Sequence, residues 1–215
     1  MRVNLQSFLI SFLATVVSGC MQAEPRSAPA LAAAAAPSPT PAPRMTLDWE
    51  AGHPERGAWS AALVSDLNAH FSSLARASDA TEFCAKWHLL TRDQQVNVLA
   101  ELIVWTAYYE SAWNPRDYSV DAGSRSDTST WSVGLLQLSV VDQANYQLPL
   151  GYSFADLQDP IKNLNLGVAI MAAQIDRHGR ILIPVGGKGL YWSTLHPGGK
   201  YDKSAAIESH TQMLH

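Results

Sequence analysis

Glu110 closes an apolar run that begins at Val96, is followed at once by Ser111, and leads into Ala112-Trp113-Asn114-Pro115. At helical spacing it shares a face with Leu99, Ile103, Thr106 and Ala107, the face that a helix turns to the core. Burial there favours the neutral carboxyl. The negative end of the helix dipole acts in the same direction, and it lies close because Pro115 stops the helix soon after. Both effects raise the pKa, and a carboxylic acid still protonated near neutrality can act as the general acid of glycosidic cleavage. A lone Glu near a helix end is more often simply solvated or paired, so the weight rests on the residues that follow.

Those residues fall into three further short motifs: Gly134-Leu-Leu-Gln137, Asn163 with Gly167 four positions on, and Tyr191-Trp192. With Glu110-Ser111 and the nearby Asn114-Pro115, this order resembles the soluble lytic transglycosylases, relatives of goose-type lysozyme that cleave peptidoglycan glycan strands. The resemblance spans about Thr91 to Pro197. It implies that Glu110 is the catalytic acid, that Ser111 orients it or the neighbouring sugar, and that Tyr191 hydrogen-bonds near its carboxyl. Gln137 is expected to offer its amide to sugar hydroxyls or the N-acetyl group. Two departures stand out. The segment from Arg116 to Val133 is long and rich in Ser, Thr and Asp, and Trp192 stands where the family usually has Asn. Trp131 and Trp192 belong to an aromatic set clustered around the motifs, and such faces stack on sugar rings, so both are candidate substrate-binding residues.

The ends of the chain carry different information. Met1-Arg2 and the apolar Phe8 to Val17 read as a secretion signal, too short for a comfortable membrane span. Val17-Ser18-Gly19-Cys20 resembles a bacterial lipobox, which makes Cys20 the expected lipidation site after removal of residues 1–19. Met21, rather than Asp, after the Cys suggests the periplasmic face of the outer membrane of a Gram-negative bacterium. Residues 20–44 are Ala- and Pro-rich and are expected to form a disordered tether, reaching at most ~70 Å if extended as polyproline II. With Cys20 acylated, Cys84 alone remains, so no intramolecular disulfide is expected and Cys84 reads as a buried small apolar residue.

The net charge of -4 with no basic run makes nucleic acid an unsuitable partner. The seven His are scattered, outside any metal-binding array, so no metal and no cofactor is expected. Residues 45–215 are enough chain for one core. Their elements read as a helix from Trp59 to Ala75, a short segment around Phe83 to Leu90, and a capping box at Thr91-Arg-Asp-Gln94 opening a helix from about Arg92 to Ser111. Gly134 to Leu138 reads as a short extended or irregular wall, and Ser139 to Tyr146 as the start of a helix. Asp159-Pro160 starts a further helix that stops near His178-Gly179. Gly167 is expected to let that helix approach the one bearing Glu110. Tyr191 and Trp192 open a last short helix, and the tail to His215 carries no signal.

The expected fold is mainly α, an α+β lysozyme-like domain with little β structure. The expected substrate is the β-1,4 bond between N-acetylmuramic acid and N-acetylglucosamine in peptidoglycan glycan strands, opened by Glu110 with formation of a 1,6-anhydro end. A hydrolytic muramidase would instead need a second carboxylate as base, for which Asp117, Asp121, Asp127 and Asp142 are available. The third reading, a non-catalytic wall-binding lipoprotein, gives no reason to keep an acid on an apolar face.

Overall fold

The computed structural model describes residues 45–120, 125–182 and 191–212, all within one compact unit spanning Ala42–His215. The expected signal sequence (residues 1–19), the expected lipidation site Cys20 and the expected tether (residues 20–44) lie outside the described residues, as does Asp121. The helices are α1 (Gly57–Ala69), α2 (Phe71–Leu74), α3 (Ala80–Phe83), α4 (Arg92–Ser111), α5 (Asp142–Asn145), α6 (Phe154–Leu157), α7 (Pro160–His178) and α8 (Ser204–Gln212). Two two-residue strands, β1 (Tyr118–Ser119) and β2 (Ser132–Val133), pair antiparallel with Ser119 opposite Ser132. The fold is therefore mainly α with a vestigial hairpin.

Helix α4 is the axis of the molecule. Its capping box forms, with the Thr91 hydroxyl accepting from the Gln94 amide and the Gln94 side chain accepting from the Thr91 amide at 2.8 Å. Beyond that turn it is buried nearly all round: Val96, Leu99, Ala100, Leu102, Ile103, Val104 and Ala107 are all in the core. A helix apolar on every side needs neighbours on every side, and α1 and α8 supply two of them. Helix α7 starts as its sequence dictates. The Asp159 carboxylate accepts from the Ile161 and Lys162 amides, Pro160 fills the first turn, and Gly179 ends the helix at φ 73°. It packs along α1 and α2.

Three expectations change. The helix expected from Trp59 to Ala75 breaks at His70, because the Arg92 guanidinium takes the Asn68 carbonyl and the ladder restarts from the His70 carbonyl. The tail contains α8, which buries Ile207 and ties Thr211 to the Phe83 carbonyl at 2.7 Å. Gly167 makes room for a different neighbour from the one expected: a Cβ there would lie 2.2 Å from Leu136 Cδ1. The glycine admits the turn between β2 and α5, and it is not a crossing point with α4. Cys84 is a free, buried thiol, as expected.

Candidate active site

Glu110 sits in the last turn of α4, directly before a reversal of the chain. Ala112 and Trp113 both adopt left-handed backbone, at φ 52° and 61°. Non-glycine residues are uncommon there, and such conformations persist only where the surroundings enforce them. Trp113 is pinned by donating from its indole to the Val104 carbonyl at 2.7 Å. The expected apolar face is present, with Leu99, Ile103, Thr106 and Ala107 all buried beneath Glu110. One side-chain donor reaches the carboxyl: Thr194 Oγ1 donates to Glu110 Oε1 at 2.8 Å. Oε2 has no partner among the described residues and opens to the cleft that Glu110 lines. Burial pushes the Glu110 pKa above its ordinary value, and the Thr194 hydrogen bond opposes that rise without cancelling it. If Oε1 is the carbonyl oxygen receiving Thr194, the acidic proton belongs on Oε2, facing solvent.

The cleft has a volume of about 640 Å³. Tyr109, Glu110 and Thr194 line it, with Asp117, Ser119 and Ser132 from the hairpin, Gln137 from the turn, and Lys200, Tyr201 and Lys203 from the segment before α8.

The Gly134–Leu138 turn is the most heavily tied part of the site. Asn163, fully buried in α7, accepts from the Leu136 amide at 2.9 Å and donates to the Val133 and Leu157 carbonyls, each at 2.9 Å. Ser111 Oγ engages the Leu135 carbonyl at 2.9 Å, and the Trp192 indole donates to the Leu136 carbonyl at 3.0 Å. The Tyr191 hydroxyl donates to Asp142 Oδ2 at 2.6 Å, with the Gln137 carbonyl as a second acceptor at 3.2 Å. Ser139 donates its amide to both Asp142 and Tyr191. Gly134, at φ 76°, has no room for a side chain, since a Cβ would lie 2.3 Å from the Leu157 carbonyl oxygen. Buried backbone groups need partners, and here the motif side chains provide them.

The expected site residues make the following contacts. Ser111 is buried and holds the turn against the end of α4; it does not contact the Glu110 carboxyl. Tyr191 lines the same cleft as Glu110 and its hydroxyl contacts Asp142; its pKa is raised well above its ordinary value by burial and by that carboxylate, so its hydroxyl stays neutral. Trp192 edges the cleft, but its ring is buried and its indole nitrogen is committed to Leu136. Trp131 does not line the cleft. It stacks on Tyr118 at 5.5 Å and meets Phe154 edge-on. Gln137 does line the cleft, at φ 50°, while its amide donates to the Gly134 carbonyl at 3.0 Å and the Asp117 carbonyl at 3.3 Å. Its side-chain oxygen is the group left for a ligand. Among the candidate bases, Asp142 is buried in the Tyr191 and Ser139 contacts, and Asp127 caps the turn at Thr128–Thr130. Only Asp117 of the described candidates reaches the cleft.

Thr194 was not identified from the sequence, because its partner is 84 positions away and nothing local marks it.

A half-buried acid at the end of a central helix, facing a polar cleft across a clamped turn, places the domain in the lysozyme-like class. Residues 90–187 match the model of the transglycosylase SLT domain family. The structure is similar to that of Bd0314 DslA, wild-type form 2, at 27% identity and a TM-score of 0.67 over 78% of this chain and 95% of that one. Two glutamate-to-glutamine variants of the same protein match at 27% identity with TM-scores of 0.66 and 0.67 and the same coverage. No curated protein sequence matches this chain.

Proposed function

We propose that this protein is a peptidoglycan lytic transglycosylase cleaving the β-1,4 bond between N-acetylmuramic acid and N-acetylglucosamine, with Glu110 as both acid and base. The observation that carries this reading is the state of the Glu110 carboxyl: held toward its neutral form by burial, hydrogen-bonded on Oε1, and open on Oε2. Oε2 donates its proton to the glycosidic oxygen as the C1–O bond breaks and positive charge develops on the muramyl ring. The resulting carboxylate then takes the proton of the muramyl C6 hydroxyl, whose oxygen bonds to C1. The product is a 1,6-anhydro end, the proton count closes, and no second carboxylate is needed. The clamped turn fixes the backbone that presents Gln137 across the cleft, so the sugar is held against a rigid wall.

Digestion of purified sacculi in ¹⁸O-labelled water tests this. Wild-type protein is expected to yield unlabelled anhydromuramyl ends, lighter than reducing ends by one water, about 18 Da, because water is not the nucleophile. Glu110→Gln is expected to fold and to lose cleavage. Labelled reducing ends would instead assign a hydrolytic muramidase, with Asp117 as the base to test first.

A further inference from the structure

The wall between Thr194 and α8 carries two cations that this chemistry does not use. Lys200 and Lys203 both line the cleft that holds Glu110, both are exposed, and neither pairs with a carboxylate among the described residues. Each ammonium instead lies over an aromatic ring of the same cleft, Lys200 at 4.9 Å from the Tyr201 centroid and Lys203 at 5.9 Å from that of Tyr109. The carboxylate nearest to them in sequence is already engaged. Asp202 accepts from the Gly198 amide at 2.7 Å, the Ser204 amide at 2.8 Å and Ser204 Oγ at 2.7 Å. That knot fixes the segment, and the Lys203 amide ties it to the Thr194 carbonyl at 2.9 Å, one residue's reach from the Glu110 contact. In a chain of net charge -4, two unpaired ammonium groups on a braced segment beside the catalytic acid make a local anion site.

Building on the proposed peptidoglycan substrate, we infer that Lys200 and Lys203 form a subsite for a carboxylate carried by the muramyl unit. The glycan backbone is neutral and gives these cations no charged partner. Carboxylate is the anion that distinguishes a muramyl strand from other β-1,4-linked N-acetylglucosamine polymers. It has two sources: the peptide stem, or the lactyl group itself once the stem has been removed. Exposed ammonium groups attract such an anion over about 10 Å at 0.1 M salt and progressively less above it. The subsite therefore selects the strand and its register without touching the scissile bond.

The test measures equilibrium binding on the Glu110→Gln background, so that it does not depend on cleavage. Three ligands of equal length are compared: strands with peptide stems, strands stripped by an amidase to free lactyl carboxylates, and chitin oligosaccharides. Muramyl strands are expected to bind about tenfold better than chitin at low salt, with the margin shrinking as salt rises. Lys200→Gln/Lys203→Gln is expected to collapse that margin, and Lys200→Arg/Lys203→Arg to keep it. Tighter binding of stem-bearing strands identifies the stem as the source; tighter binding of stripped strands identifies the lactyl group; equal binding shows that the subsite takes either carboxylate. In cleaving protein, the loss is expected in KM rather than kcat. A margin that the double Gln variant leaves intact overturns the subsite alone. Failure to bind any of the three ligands overturns the substrate reading with it.

Discussion

Thr194 is the residue whose removal gives the sharpest reading of Glu110. Replacing it with Val keeps the shape of a buried side chain and deletes the one hydroxyl among the described residues that donates to the carboxyl, at 2.8 Å. A hydrogen bond to a charged acceptor contributes about 1.5–3 kcal/mol, against about 0.5–1.5 for a neutral one. The preference for the charged form is thus about 1 kcal/mol or a little more, and at 1.36 kcal/mol per pK unit its loss is worth about one unit. The sign follows from the roles of the two forms. The hydroxyl favours the carboxylate and lowers the pKa, while burial raises it, so Thr194→Val leaves burial unopposed and the pKa climbs further. Cleavage that requires protonated Glu110 then persists to higher pH. The basic limb of kcat/KM, followed by turbidity loss of sacculi across pH, is expected to move up by about one unit, and Thr194→Ser to leave it in place. A limb that stays put or moves down would refute the account, and a uniform fall in rate without a shift would reduce Thr194 to a positioning residue.

Two further predictions concern what holds the site. Asn163→Ala strands the Leu136 amide and the Leu157 carbonyl in the core, at about 1–3 kcal/mol each, so denaturant unfolding is expected to show a loss of roughly 3 kcal/mol together with reduced cleavage. Wild-type stability would show that the clamp is dispensable. Glu101, on the same helix as Glu110, is pushed up to about 8 by burial and by the nearby Asp48 and Glu50 carboxylates. Its folded pKa lies above its ordinary value of 4.5, so stability is expected to fall as pH rises from about 4.5 to about 8 and to level off beyond. Glu101→Gln should flatten that slope and add on the order of a few kcal/mol at pH 8. An unchanged slope in thermal unfolding across this range would remove Glu101 as its source.

The sequence by itself determined whatever depends on near neighbours. Thr91 and Gln94 are three apart, Asp159 touches its own helix, and the Glu110 face repeats at helical spacing, so caps, period and the location of the acid could be read directly. The break at His70 and the presence of α8 could not, because a guanidinium from Arg92 and a docking surface on α4 decide them. The motif residues show the division most clearly. Order along the chain marked Ser111, Asn163, Tyr191 and Trp192 as belonging together, and the resemblance together with aromatic chemistry put Ser111, Tyr191 and Trp192 beside the acid or the substrate. Only the tertiary structure shows that they meet the backbone of one turn, whose amide and carbonyl groups are satisfied by side chains 24 to 56 positions away. The same holds for Thr194, and for the two lysines, which reach the cleft because the segment before α8 is tied back to Thr194.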